Sequence, residues 1–201
     1  CLFQDFPIEV TKGMGQQTPN GLFYCGGTDL QRSWVASERC FKFEQTKFVD
    51  TKFSLKKPRT EASSVLYEDS FVVIGGTGVN YVHFSDLEVV PEKKTMQFPN
   101  LNYGVGSSGA VGYKKHIIVT CGWTKGEPTD KMSIITSSTV KEKSLNRDRA
   151  DHGCTTFRLQ NKDILVVAGG YKEKSTEFVL LDNNMESQNG KSSYLKIDRI
   201  Q

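Results

Sequence analysis

A short hydrophobic run closed by a glycine pair, or by cysteine and glycine in one copy, recurs four times along this chain. The copies are Leu22-Phe23-Tyr24-Cys25-Gly26-Gly27, Phe71-Val72-Val73-Ile74-Gly75-Gly76, Ile117-Ile118-Val119-Thr120-Cys121-Gly122 and Leu165-Val166-Val167-Ala168-Gly169-Gly170. Their penultimate residues are 49, 46 and 48 positions apart, a spacing that belongs to arrays of equivalent units. Each run is β-branched or aromatic, too short for a helix and bounded by turn residues, and reads as a strand buried on both faces, strand b.

The residues around each run supply the rest of a unit. Upstream lies a small-residue segment, strand a: Ala62 to Tyr67, Ser108 to Tyr113 and Gly153 to Phe157, each joined to strand b by a polar turn short enough to close a hairpin. Downstream, after a polar loop, a third apolar run reads as strand c: Cys40 to Phe43, Tyr81 to Phe84, Met132 to Ile135 and Phe178 to Leu181. The fourth run, strand d, is Phe48 to Phe53, Thr95 to Phe98, Thr139 to Leu145 and Tyr194 to Ile197. It alternates apolar with polar or charged residues, as an edge strand with one wet face does.

Four antiparallel strands per unit, with small residues innermost and a polar strand outermost, match a propeller blade. On the glycine pairs, the strand-a aromatics Tyr67, Tyr113 and Phe157, and the basic residues Arg59 and Arg147/Arg149, the chain resembles the kelch-repeat family over nearly all its length. The resemblance implies an all-β fold, a β-propeller of four-stranded antiparallel blades. Residues 1–12 would be the outer strand of a preceding blade, because Phe3-Gln4-Asp5-Phe6-Pro7 aligns with Met96-Gln97-Phe98-Pro99. Four complete blades follow at 13–58, 59–103, 104–149 and 150–201. Kelch rings commonly have roughly six blades, so the chain is expected to form part of a larger ring, with a compact four-bladed ring as the alternative.

Composition agrees and excludes some classes. Hydrophobic content is 37%, ordinary for a globular domain, and no apolar run approaches the length of a membrane span. The net charge of +3, with Lys and Arg spread through the units, gives no basic block for nucleic acid.

Five cysteines bear on the compartment. Cys25 ends strand b and Cys40 begins strand c of the same unit, so neighbouring antiparallel strands bring them within reach of a disulfide, the alternative being two buried free thiols. The kelch-like domains of secreted proteins resemble this pattern, which implies a formed bond and export. Cys121 and Cys154, in adjacent units, are a candidate second pair against the same alternative. Cys1 is left over and is expected to pair outside the visible chain or with another chain.

Several apparent motifs lead away from chemistry. Gly104-Val105-Gly106-Ser107-Ser108-Gly109 spells a dinucleotide fingerprint but joins a d strand to an a strand with no helix after it, so no cofactor is expected. His83, His116 and His152 show no metal-ligand spacing. Asp151-His152-Gly153-Cys154 places a Cys and a His on one strand face, as a nucleophile would require, yet other units carry Ala, Ser and Gly there, which favours packing. The resemblance also admits a copper radical oxidase, whose Tyr-Cys crosslink and His ligands find no convincing set here.

What remains is a binding module. In kelch-like rings the b-to-c loops and d-to-a turns cluster on faces where partners dock, and loops on rigid scaffolds carry function. The expected contact residues are Asp29, Arg32 and Trp34 in the first unit, Trp123 and Lys125 in the third and Tyr171 in the fourth, with the two tryptophans as anchors. The reading is a non-catalytic, extracellular protein-binding or assembly scaffold; the alternative is a cytosolic adaptor that presents substrates to a ubiquitin ligase.

Overall fold

The computed structural model describes residues 4–91, 93 and 95–181. Among them there is no α-helix; apart from one 3-10 turn at Val79–Tyr81, the regular structure is antiparallel strand. The first sheet holds β1 (Met14–Thr18), β2 (Gly21–Cys25), β3 (Arg39–Glu44) and β4 (Lys47–Ser54) in that spatial order. The second holds β5 (Ser63–Tyr67), β6 (Ser70–Ile74) and β7 (Leu87–Val90). The third holds β8 (Gly109–Tyr113), β9 (His116–Thr120), β10 (Glu127–Ile135) and β11 (Val140–Arg149). The fourth holds β12 (Gly153–Leu159), β13 (Lys162–Ala168) and β14 (Thr176–Leu181).

The strands expected before each glycine pair, β2, β6, β9 and β13, form the second position of each of these four sheets, within three residues of the expected bounds. Their apolar residues are buried because the sheets pack face to face, β6 and β9 between two neighbouring sheets and β2 and β13 against one. One core cluster joins the first and second sheets through Phe23, Leu55, Phe71 and Val73. A second joins the second and third through Val72, Ile74, Ile117 and Val119. A third joins the third and fourth through Ile118, Met132, Leu165 and Val167. Innermost strands of successive sheets lie side by side, β1 against β5, β5 against β8 and β8 against β12.

Polar ties repeat between units. The wholly buried Arg59 donates from Nη1 to the Gly75 carbonyl (2.8 Å) and from Nη2 to Asp86 (2.8 Å) and Glu88 (3.2 Å) of the next sheet. Arg149 does the same one pair of units later, reaching the Gly169 carbonyl (2.8 Å) and Glu177 (3.0 Å). At the other end of the inner strands, the Tyr67 hydroxyl donates to the Lys115 carbonyl (3.2 Å) and the Tyr113 hydroxyl to Asp163 (2.7 Å), each in the following unit.

The second unit departs from expectation. Tyr81 to Phe84 is not a strand: the Gly78 amide bonds to the Val82 carbonyl, and the Phe84 ring lies under the cations of Lys57 and Arg59, each 5.0 Å from its centroid. The third strand is instead β7, placed where the Gly75 amide meets the Asp86 carbonyl (3.0 Å). Thr95 to Phe98 is not a strand either, because Phe98 turns inward to stack edge-on against Tyr67 at 5.2 Å. Gln4 to Glu9 also carries no strand; Phe6 packs among Tyr24, Phe41 and Phe48 of the first sheet, with ring centroids 4.8–5.0 Å apart. Tyr194 to Ile197 and Cys1 lie outside the described residues.

Cys25 and Cys40 face each other in the β2–β3 register and are joined by a disulfide. Such a bond belongs to an oxidising, non-cytosolic setting. Among the described residues no helix is long and apolar enough to cross a membrane.

Candidate binding face

One turn from each unit leads into its innermost strand, and the four turns converge. Lys12 with Gly13, Glu61 with Ala62, Ser107 with Ser108 and Asp151 with His152 line a single polar cavity of about 250 Å³. The leading residue of each pair has a left-handed backbone, φ being 57°, 55°, 49° and 54°, a conformation few non-glycine residues adopt without support. The support is a belt of backbone hydrogen bonds: the Glu61 amide donates to the Lys12 carbonyl (3.0 Å), Ser107 to Glu61 (2.7 Å) and Asp151 to Ser107 (3.1 Å).

Side chains complete the well. The Lys12 ammonium pairs with Glu61, whose second oxygen accepts from the Thr77 hydroxyl at 3.1 Å. That pairing, helped by Asp151 of the last unit, holds the Lys12 pKa above its ordinary value. Trp123 donates from Nε1 to Asp151 (3.1 Å) and stacks on Tyr171, 5.1 Å between ring centroids.

The b-to-c loops surround this well and carry six of the exposed large apolar side chains, while Leu66, Phe157 and Leu159 are exposed on the innermost strands. Tyr81 is 88% exposed and Trp34 is 70% exposed; Val35, Val79, Val82 and Tyr171 are also exposed. Of the expected contact residues, Trp34 and Arg32 project from the first unit's loop, while Lys125 and Tyr171 are exposed on the third and fourth. Trp123 and Tyr171 are brought together. Two roles change. Asp29 is buried and accepts the amides of Gln31 (3.0 Å) and Arg32 (3.2 Å), so it shapes the loop from beneath. Trp123 is held by Asp151 and Tyr171 and forms part of the wall.

Sequence reasoning missed Tyr81, which it placed in a strand, and the four cavity turns. The signal for the turns was their constant phase ahead of each innermost strand, since Lys12, Glu61, Ser107 and Asp151 stand 49, 46 and 44 residues apart.

His152 and Cys154 are brought together at the start of β12. Both converge with Thr120 on Gly109, where a β-carbon would meet Cys154 Sγ, His152 Nε2 and Thr120 Oγ1 at 2.6, 2.7 and 2.8 Å. His152 Nε2 bonds to Thr120 Oγ1 at 2.8 Å. Burial, with Arg149 nearby, pushes the imidazole down to about 4, and burial pushes the Cys154 thiol up, so near neutral pH both groups are uncharged. Cys121 and Cys154 are not bonded; both thiols are free. Cys121 is turned into the core between the third and fourth sheets, and burial pushes its thiol up to about 12. Among the described residues no group of three or more His, Cys, Asp or Glu is placed to hold a metal ion.

Neither a protein-family model nor a curated protein matches the chain.

Proposed function

We propose that the chain is a kelch-type β-propeller module, exported from the cytosol, that binds a protein partner on the face where the b-to-c loops surround the polar well, and performs no catalysis of its own. The observation that carries this reading is the division of that face: a central cavity lined by Lys12, Glu61, Ser107 and Asp151, surrounded by exposed Trp34, Tyr81 and Tyr171. Aromatic residues are enriched in protein interfaces and supply many of their energetic anchors. The side-by-side inner strands support the propeller. The first and last of them, β1 and β12, are not packed on each other as successive ones are, which fits an arc of a larger ring.

Site-specific photo-crosslinkers test the reading. Placed at Trp34 and Tyr81, and as controls at Leu159 and Leu66 on the inner strands, they are exposed to the extracellular fluid of the source tissue. A discrete protein adduct from the loop positions alone is expected. Equal labelling from the control positions, or no adduct from any, rejects the assignment.

A further inference from the structure

Among the described residues the second sheet has three strands, where the first and third sheets have an outer fourth, β4 and β11. Its outermost strand, β7, therefore ends the sheet. The register pairs Leu87 with Ile74, Glu88 with Val73 and Val89 with Val72, and the Gly75 amide bonds to the Asp86 carbonyl. Bonding alternates along an antiparallel ladder, so Asp86, Glu88 and Val90 exchange bonds with β6, and the amides and carbonyls of Leu87 and Val89 point to the open edge. Among the described residues the returning chain bonds its backbone to the stretch just before β7, where the Leu101 amide meets the Ser85 carbonyl at 2.8 Å and the Val105 amide the Phe84 carbonyl at 3.0 Å. It then diverges and leaves a groove of about 340 Å³, within the range of roughly 300–1,000 Å³ typical of ligand clefts.

The groove has one apolar and one basic character. Leu87, Met96 and Phe98 line it, together with Lys56, Lys57 and Lys93. Asp86 is paired with both Arg59 and Lys57, Glu88 is paired with Arg59, and Lys93 donates to the Ser70 hydroxyl at 2.7 Å; with these pairings counted, the cations lining the groove or buried beneath it still outnumber its carboxylates. The chain's own 95–98 segment does not fill the edge, since Met96 and Phe98 are packed on the core cluster that contains Tyr67. A second copy is a poor occupant, because its own β7 edge would bring a like basic groove against this one.

We propose that the open edge of β7 receives an extended acidic segment of a partner protein as an antiparallel fourth strand. The added strand takes up the free amides and carbonyls of Leu87 and Val89, sets alternate apolar side chains against Met96 and Phe98, and turns its acidic side chains toward Lys57 and Lys93. This is strand addition, in which backbone bonds supply affinity and alternate side chains supply selectivity. The surface is separate from the loop face and stands or falls independently of it.

The probes are two labelled seven-residue peptides, one alternating valine with glutamate and one alternating valine with lysine. The valine–glutamate peptide is expected to bind and the lysine peptide to bind at least tenfold more weakly. Leu87→Pro removes one outward amide at an edge position that tolerates proline, and is expected to weaken binding tenfold or more. Lys57→Glu with Lys93→Glu is expected to reverse the preference between the peptides. Hydrogen exchange on the unaltered protein gives a readout that needs no variant to fold: the Leu87 and Val89 amides exchange freely alone and are protected by the peptide. Protection of those amides without peptide, no binding up to about 1 mM (a free energy weaker than about −4 kcal/mol), equal binding of both peptides, or a concentration-dependent dimer that covers the edge overturns the proposal.

Discussion

The guanidinium of Arg59, sealed from solvent at the end of the first unit, donates to the Glu88 carboxylate of the second sheet at 3.2 Å. Glu88 is itself nearly buried, and its other oxygen accepts the Lys56 amide at 2.6 Å. Arg149 and Glu177 repeat the arrangement, the Asn146 amide taking the place of Lys56 at 2.7 Å. Both units are thus latched to their neighbours by an ion pair whose members lack access to water.

Removing one member of such a pair leaves a buried charge uncompensated, at a cost of about 3–5 kcal/mol. Arg59→Ala and Arg149→Ala should each lower the denaturation midpoint by an amount of this order. The double variant Arg59→Met with Glu88→Leu should recover most of the loss, since replacing both charges by apolar groups is often neutral. Urea titrations of the four proteins decide the matter, and a mild effect of Arg59→Ala alone would show the latch to be idle.

His152 gives the fold an acid limb. Its folded pKa of about 4 lies below the ordinary 6.5, so between these values the unfolded chain takes up a proton that the folded chain refuses. Stability from this group is complete above about pH 6.5 and falls as the pH drops toward 4, by up to about 3 kcal/mol. His83, also lowered by burial, acts in the same direction. Denaturation midpoints measured from pH 7 to 4.5 should fall steeply for the parent protein and less so for His152→Gln.

Reduction of the Cys25–Cys40 bond should cost about 3 kcal/mol, because the bond closes a short loop of 15 residues' separation. For a chain of this size that corresponds to a melting point lower by roughly 6–12 °C. Thermal scans with and without reductant, and of a Cys25→Ala, Cys40→Ala variant, should agree with each other.

The aromatic residues of the binding face should separate into two kinds. Trp123→Ala loses the stack on Tyr171 and the bond to Asp151, and should destabilise the fold by about 1–3 kcal/mol. Trp34→Ala and Tyr81→Ala touch exposed side chains and should change stability by less than about 0.5 kcal/mol. Calorimetry on the three variants tests the division, and a destabilised Tyr81→Ala would remove that residue from the set of free anchors.

Much of the architecture could be read from the residues because the buried strands announce themselves: Phe71 to Ile74 and Ile117 to Val119 are apolar on both faces and stop at a glycine or cysteine with positive φ. The Cys25–Cys40 bond was legible for a similar reason, as the two residues end and begin adjacent strands. The second unit misled because Tyr81 to Phe84 has the composition of a strand, while the place beside β6 is taken by Leu87 to Val90, in a ladder that begins with the Gly75 to Asp86 bond. Whether Cys121 and Cys154 meet depends on which way two side chains turn at the junction of two sheets, which local pattern does not encode. The well was hidden because Lys12, Glu61, Ser107 and Asp151 share a phase in the repeat and no chemical type.

That mixture of types has a consequence for how such a surface changes over time. The belt around the well is made from backbone amides and carbonyls alone, so it survives exchange of the side chains it displays, provided each newcomer tolerates a left-handed turn, as Asn, Asp and Gly do and β-branched residues do not. Four codons can therefore rewrite the charge and reach of the well while the scaffold beneath keeps its geometry. The belt and the display draw on different atoms of the same four residues, so a lineage is free to vary the display at Lys12 and Ser107 without rebuilding the belt, whereas Glu61 and Asp151 also carry side-chain bonds to Thr77 and Trp123.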